Sequence, residues 1–232
     1  MRAKGHSSGA FRSFLCVVGF LLVPGFGIAG TTLTWTGGTD MNWFQASNWN
    51  PAQVPTNGDT VVVDATSSRN VLLTNQTALL ASFSISNRTL TCSNWFARIQ
   101  ATNVHIRNLG KLALPPPFAV GTMSNRVWIV STNLVVYPGG EIDADYNGYM
   151  VAQGPGKGSQ SGSNNNGGGG YGGRGGDEAG GSGGPPYGST NAPVHPGSGG
   201  GRWDSSPRSN GSGGGVILIG AVNALISGTV SA

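Results

Sequence analysis

Three carboxylates lie close together in the sequence at Glu141, Asp143 and Asp145. On an extended strand, Glu141 and Asp143 would share one outer face, with Lys111 over Glu141 in the preceding copy of the repeat described below. Carboxylates grouped beside a cation could serve general acid and base catalysis or hold calcium. The simpler interpretation, which we favour, is a solvated strand face with one ion pair. The three carboxylates therefore count as weak candidates for a glycan or ion site.

Trp128 offers a different chemistry, since an aromatic face can stack on a sugar ring. We expect Trp128 and Arg98 to lie on the same sheet in neighbouring copies of the repeat. Further aromatic side chains, Tyr171, Tyr187 and Trp203, occur in the glycine-rich second half. Scattered exposed aromatic residues are common in proteins, so the sequence makes Trp128 a weak glycan candidate and identifies no ligand.

The nucleophiles and imidazoles have no partners at the spacings that catalytic motifs require. His105 and His195 lack a Ser, Cys or carboxylate at such a spacing, and no phosphate-binding loop of the type G-x-x-x-x-G-K-[ST] occurs. Cys92 ends a fainter copy of the repeat at residues 83–92, where it corresponds to Leu114 and Ala144, so we expect it to act as a small buried apolar residue. We therefore predict no catalytic residue, no metal site and no cofactor.

The first 29 residues have the organisation of a secretory signal. Arg2, Lys4 and Arg12 form a basic region, residues 14–23 form a short apolar core, and residues 27–29 read Gly-Ile-Ala, a small-x-small cleavage site. The alternative is a retained anchor, but this core is too short to span about 30 Å of hydrocarbon. We predict a cleaved signal and no stable membrane span in the mature chain.

Loss of the signal would remove much of the positive charge. Three of the 13 Lys and Arg lie within it, so ten would remain against nine Asp and Glu, a net charge of +1. A basic surface for nucleic acid is therefore not expected. Cys16 would also be lost and Cys92 would be the remaining cysteine, which excludes an internal disulfide framework.

A template recurs in residues 97–114, 127–144 and 217–232. Each copy has an apolar-x-apolar segment, a corner with Asn103, Asn133 or Asn223, a second apolar-x-apolar segment, a turn with glycine and a third such segment. We interpret the three asparagines as a ladder of stacked side chains that pass amide hydrogen bonds between copies. The alternative is three independent turn residues.

Repeats of 20 to 30 residues with short strands are typical of solenoids, in which each unit buries its apolar face against its neighbours. Alternate residues of each segment are expected to point inward, among them Ile99, Ile129, Ile142, Ile226 and Val230. We therefore predict an all-β fold, a right-handed parallel β-helix with a long glycine-rich excursion. The predicted organisation is a signal peptide at 1–29, a Trp-rich N-terminal cap unit at 30–70, β-helix coils at 71–144, a glycine-rich loop or flap at 145–215 and a terminal coil at 216–232.

Two segments resemble those of known bacterial surface proteins. In residues 31–64 the spacing W-T-G-G, D-x-N-W, A-S-N-W, V-P and G-D-T-V resembles an N-terminal unit of secreted autotransporter and adhesin proteins, where it precedes β-helical repeats. The strings GGGGYGGRGG and GSGGGVILI resemble the glycine-rich repeats of surface proteins from environmental bacteria. In that resemblance Asp145 takes a loop-opening position.

Residues 145–215 hold 26 of the 41 glycines and almost no aliphatic side chain. Composition alone favours a flexible loop. The resemblance, with regular motifs at the start and end of the segment, favours a compact, glycine-packed flap.

The expected function is that of a non-enzymatic protein, secreted or at the bacterial cell surface, whose β-helix is a structural spacer or adhesion surface within a longer protein. The alternative is a carbohydrate-active β-helix enzyme, of the polysaccharide lyase or glycosidase type, or a glycan-binding module. Cell-surface or extracellular glycans are candidate partners. Self-association through the C-terminal coil is also expected, because its strand edges lack Pro, Lys and Glu.

Overall fold

The computed structural model describes residues 30–122, 126–161, 165–178, 180–202 and 211–232. The predicted signal at 1–29 lies outside these ranges. Within them the chain forms strands and one 3₁₀ turn, Ala46–Asn48, and contains no α-helix. The strands are β1 Thr32–Trp35, β2 Trp49–Asn50, β3 Thr60–Val63, β4 Val71–Leu73, β5 Gln76–Ile85, β6 Thr89–Cys92, β7 Arg98–Ile106, β8 Lys111–Ala113, β9 Val127–Val136, β10 Glu141–Asp143, β11 Gln160–Ser161, β12 Asn165–Asn166, β13 Ile217–Ile226 and β14 Thr229–Ser231.

Most of these strands belong to two sheets. The larger sheet has seven strands in the order β13-β9-β7-β5-β3-β1-β2, parallel except for the antiparallel edge pair β1 and β2. The smaller sheet has five parallel strands in the order β14-β10-β8-β6-β4. From β3 onward the chain visits the two sheets in turn, so each repeat contributes one strand to the larger sheet and one to the smaller.

Burial alternates along the strands as expected for residues that point to opposite faces. In β7 the alternation changes phase at Thr102 and Asn103, two successive residues that are not buried, and β9 changes phase at Thr132 and Asn133. The backbone nevertheless continues as one strand through each asparagine. Asn103 and Asn133 do not have the positive φ that is found at other non-glycine residues of the described chain, such as Leu109 and Tyr146.

The prediction of a right-handed parallel β-helix with a glycine-rich excursion is wrong. The strands form two broad sheets, and the larger is mixed because β2 runs antiparallel to β1. The two segments on either side of each asparagine corner, which were assigned to separate strands, form one strand of nine or ten residues. The asparagine permits this continuity because its side chain bonds to the neighbouring strand while its backbone stays extended.

The inward side chains of both sheets form one apolar core. It includes Ile99 and Ile129 from the larger sheet and Leu112 and Ile142 from the smaller, all fully buried. The residues predicted to point inward in the copies at 97–114 and 127–144 are buried as well. In the last copy Ile226 and Val230 are exposed, because β13 and β14 are the edge strands of their sheets.

Three tryptophans close the N-terminal end of this core. Trp49 meets both Trp35 and Trp43 edge to face, with ring centroids 4.9 Å and 4.8 Å apart. The indole N–H of Trp49 donates to the carbonyl of Trp43 at 2.8 Å, so the burial of this ring leaves no unpaired donor. The loop between β1 and β2 is organised by Asn48, whose side-chain oxygen accepts from the N–H groups of Thr39 and Asp40.

The described residues between 148 and 215 form a packed array of extended segments, which we call the glycine array. Its segments are joined by backbone hydrogen bonds between glycines: Gly168 N–H donates to Gly176 at 2.8 Å, Gly184 to Gly168 at 2.9 Å and Gly175 to Gly184 at 3.0 Å. A β-carbon added at Gly184 would lie 1.8 Å from the carbonyl oxygen of Gly156. The described segments of this region therefore lie close to one another through their backbones.

The array is bonded directly to the strands around it. The N–H of Gly215 donates to the carbonyl of Ala144, and the N–H of Phe118 donates to the carbonyl of Gly148. Within the array the N–H of Tyr149 donates to the carbonyl of Gly197, and the N–H of Gly213 donates to that of Tyr149. The chain on both sides of the segment is therefore tied to it.

Candidate functional site

The carboxylate cluster lies on β10 and at its end. Lys111 of β8 is in register with Glu141, and its Nζ lies 3.4 Å from Glu141 Oε2 and 2.5 Å from Asp143 Oδ2. The other carboxylate oxygen of Asp143 accepts from the backbone N–H of Asp145 at 2.8 Å. Lys111 therefore bridges two carboxylates across neighbouring strands, while Asp143 also fixes the turn that begins at Asp145.

The pKa values of the pair follow from these contacts. Partial burial opposes ionisation of Asp143, but the hydrogen bonds from Lys111 and from the Asp145 N–H, with the charge of Lys111, outweigh it and lower the pKa of Asp143. Burial likewise opposes the charged form of Lys111, but its bonds and charge interactions with Asp143 and Glu141 raise the pKa of Lys111. Both groups are held in their charged forms near neutral pH, which suits an ion pair better than a proton donor.

The structure brings the three asparagines together. Asn103, Asn133 and Asn223 occupy paired positions on β7, β9 and β13. Asn133 Nδ2 donates to Asn103 Oδ1 at 2.9 Å, and Asn223 Nδ2 donates to Asn133 Oδ1 at 3.0 Å. Asn103 Nδ2 in turn donates to the carbonyl of Ala81 at 3.3 Å on β5. The amide bonds thus run across four neighbouring strands, in addition to the backbone bonds between them.

Trp128 lies on the outer face of β9, and two arginines stack on its ring. The guanidinium carbon of Arg98 is 4.4 Å from the centre of the Trp128 ring, and that of Arg126 is 4.1 Å from it. Arg126 also lies 4.6 Å from the ring centre of Trp95. We call these four residues the Arg–Trp cluster. The candidate carboxylates lie on a different sheet from Trp128. Trp128 is on β9 of the seven-stranded sheet, whereas Glu141 and Asp143 are on β10 of the smaller sheet and Asp145 is in the turn that follows.

Sequence reasoning paired Trp128 with Arg98 and missed the other two members of the cluster. Arg126 directly precedes β9 and lies two residues before Trp128, so the period of two along a strand could have placed both on the same face. Trp95 lies in the turn before β7, where no periodicity predicts the direction of a side chain.

The remaining aromatic candidates are engaged within the glycine array. Tyr171 and Tyr187 pack edge to face at 5.0 Å. The Tyr171 hydroxyl accepts from the backbone N–H groups of Val194 and His195, and the Tyr187 hydroxyl donates to the carbonyl of Pro196. Both tyrosines therefore organise the array's own backbone. Trp203 lies outside the described residues.

The other groups with chemical potential are also occupied or buried. His105 Nδ1 lies 3.4 Å from the hydroxyl oxygen of Tyr137. Burial and, to a lesser extent, the charge of Arg107 lower the pKa of His105. Cys92 is fully buried, and its burial raises the pKa of the thiol to about 12. A thiol with this pKa remains protonated and unreactive at neutral pH.

The surface of the described residues also contains depressions. A cleft of about 680 Å³ is lined by Asp40, Arg69 and Arg88, and both arginines donate to backbone carbonyls beside it. A second depression of about 380 Å³ lies between His195 and the apolar side chains of β13. In the described part of the chain, no three His, Cys, Asp or Glu side chains are grouped to hold a metal ion. No helix in that part is long and apolar enough to cross a membrane.

Comparison of the chain with protein-family models, with curated proteins and with solved structures finds no match.

Proposed function

We propose that this chain is a non-enzymatic, exported protein of the bacterial cell surface or extracellular matrix, in which the stacked sheets act as a rigid spacer and adhesion surface. The observation that carries the proposal is the use of its polar groups. Lys111 bridges Glu141 and Asp143, and the asparagine side chains form hydrogen bonds between neighbouring strands. These are the positions where an active site would otherwise be sought, and they hold strands together.

The proposal is tested by looking for turnover. The mature chain is incubated with acidic polysaccharides and calcium, and unsaturated and reducing ends are measured over time. No turnover above a buffer blank is expected. Reproducible turnover that Asp143→Ala abolishes, while Arg174→Gln leaves it unchanged, would overturn the proposal in favour of a polysaccharide lyase or glycosidase. Fractionation of the producing cells tests the export, which requires the chain outside the cytoplasm and shortened near residue 29.

We also propose that copies of the chain associate with each other through the edges of β13 and β14. These strands contain no charged residue, and Val222, Leu225 and Ile226 are exposed along the edge. Unpaired edges of this kind pair readily with another strand, and a second copy presents the same two edges in the same spacing.

Light scattering on the mature chain and on a Ser227→Lys/Thr229→Lys variant tests this association. The unmodified chain should form dimers or larger species as its concentration rises, and the lysine variant should remain monomeric. Equal, monomeric scattering from both proteins at high concentration would contradict the proposal.

A further inference from the structure

The Arg–Trp cluster holds two positive charges in a fixed arrangement on the outer face of the larger sheet. Arg126 lies against both Trp95 and Trp128, and Arg98 lies against Trp128. A guanidinium that stacks on an aromatic ring uses its planar face and keeps its N–H groups at the edge, where they can donate to an anion. The rings thus limit the freedom of both side chains while leaving their hydrogen-bonding edges for another partner.

The cluster's positive charge has no counter-charge among the described residues. The three ion pairs found there involve Lys111 and Arg174, not Arg98 or Arg126. One terminal nitrogen of Arg98 donates to the neutral side chain of Gln76 at 2.6 Å. Charge that is partly removed from water is ordinarily paired, because its desolvation is costly. Two adjacent guanidiniums without a carboxylate are therefore an arrangement that a bound anion would stabilise.

Two donors in the cluster lack a partner. The Nε atoms of Arg98 and Arg126 are both buried and make no hydrogen bond. Burial is the larger cause that lowers the pKa of Arg126, and the repulsive charge of Arg98 adds to it. An anion held by the terminal nitrogens of both side chains would relieve the repulsion between the two charges.

The surface around the cluster is suited to an extended ligand. On the same outer face, Gln100, Val130 and Gly220 lie side by side on β7, β9 and β13, two residues beyond the register of Trp128. Gly220 is exposed and has no side chain, so this row is flat at its outer end. A flat, uncharged row next to paired cations is a combination that suits sugars carrying acidic groups.

We propose that the Arg–Trp cluster binds the anionic groups of an acidic polysaccharide, either uronate carboxylates or sulfate esters. The guanidinium edges of Arg98 and Arg126 would take one anionic group, and the neighbouring sugar would lie on the flat row of Gln100, Val130 and Gly220. Nucleic acid is disfavoured because it would engage many cations, whereas this site has two. The inference deepens the adhesion role under "Proposed function" and rests on it.

Binding is measured by calorimetry on the mature chain with polygalacturonate, a sulfated galactan, a neutral galactan, inorganic sulfate and phosphatidylglycerol vesicles. The acidic polysaccharides should bind, more weakly as salt increases, and the neutral galactan should not. Arg98→Gln/Arg126→Gln should weaken binding at least about tenfold, because charge-assisted hydrogen bonds are lost. Arg126→Lys, which keeps the charge but not the fork of donors, should lose part of the affinity. Comparison of polygalacturonate with the sulfated galactan distinguishes carboxylate from sulfate.

Arg174→Gln is the control for Arg126→Gln, since each removes one arginine charge and Arg174 is exposed and pairs with Asp177 rather than with the cluster. The affinity of Arg174→Gln should stay within about twofold of the unmodified chain. Thermal unfolding of each variant verifies that it is folded. Should the double variant unfold, the Nε–H signals of Arg98 and Arg126 in the unmodified chain provide an independent readout by NMR. These signals are assigned with the single glutamine variants and should shift when oligogalacturonate is added.

Equal affinity of the folded double variant and the unmodified chain, or unchanged Nε–H signals at saturation, would overturn the proposal. Binding to the vesicles without binding to either polysaccharide would overturn it in favour of a lipid surface. Turnover of the polysaccharide would instead contradict the non-enzymatic function while leaving the binding site in place, so the two failures are distinguishable.

Discussion

The two sheets and the glycine array have interiors of opposite kinds. Between the sheets, large apolar side chains such as Phe83, Ile129 and Leu112 are fully buried against one another. In the array the buried positions include Gly167, Gly184 and other glycines, whose interior neighbours are backbone atoms. The first interior is stabilised mainly by removal of apolar surface from water, and the second by hydrogen bonds between closely spaced backbones.

This difference determines which substitutions each region tolerates. A side-chain core leaves a cavity when a large residue becomes small, whereas a backbone core is forced apart when a small residue becomes larger. A large-to-small substitution should therefore destabilise the sheet core, and a small-to-large substitution should destabilise the glycine array.

The largest effect is expected in the sheet core. Ile129→Ala should lower the free energy of unfolding by about 2–5 kcal/mol, because it removes three carbons from a fully buried site. The adjacent Val130 is the control, since its side chain is on the outer face and 37% exposed. Val130→Ala should change stability by about 0.5 kcal/mol or less. Equal losses in a denaturant titration would show that the outer face is also packed.

The second effect concerns the array. Gly184→Ala should lower stability by about 1–3 kcal/mol or more, because the new β-carbon would lie 1.8 Å from the Gly156 carbonyl oxygen. A β-carbon at Gly173 would meet nothing within 4 Å, so Gly173→Ala provides the control for the same chemical change. Hydrogen exchange of the array's amides measures both. Unchanged hydrogen-exchange rates of those amides in Gly184→Ala would mean that the array opens freely in solution.

The third effect tests the bonds that run across the strands. Asn133→Ala removes the hydrogen bonds to Asn103 and Asn223, at 2.9 Å and 3.0 Å, and should cost about 1–2 kcal/mol. Asn223→Ala removes one of the two and leaves a residue that is exposed, so about 0.5–1 kcal/mol is expected. Both values come from denaturant midpoints. A larger loss for Asn223 than for Asn133 would contradict a cooperative ladder.

The sequence predicted the sheet region in more detail than the array. Alternation placed Ile99, Ile129 and Ile142 in the core, because the period of two is a local property of any half-buried strand. Alignment on the asparagines put Asn103, Asn133 and Asn223 at equivalent positions for the same reason. The number of sheets did not follow, because an asparagine between two apolar segments suits a corner and a continuous strand equally well.

The array and the Arg–Trp cluster depend on contacts that leave little local signal. Glycine composition is compatible with a flexible loop, and only the distances between segments, such as Gly184 to Gly156, distinguish a packed interior. In the cluster, Trp95 and Arg126 meet across 31 positions of sequence through a turn whose geometry the sequence does not specify.

The smallest effect is expected for the ion pair of Lys111 with Asp143, whose side chains are 31% and 21% exposed. Near neutral pH, Asp143→Asn should lower the free energy of unfolding by about 0–1 kcal/mol, because water screens a partly exposed pair. Glu141→Gln is the control and should change it less, since Glu141 lies 3.4 Å from the lysine and is 38% exposed.

The dependence of this effect on pH gives the sharper test. The pKa of Asp143 is lowered on folding, so its contribution is fully present above the ordinary value of 3.8 and is lost as the pH falls through the lower, folded-state value. The pKa of Lys111 is raised, so its contribution persists below 10.5 and is lost as the pH rises through the higher, folded-state value. Chemical denaturation of the unmodified chain and of Asp143→Asn should therefore differ between these limits and converge at strongly acidic pH. A difference that grows as the pH falls would mean that folding stabilises the protonated form of Asp143, which would make Asp143 a candidate general acid.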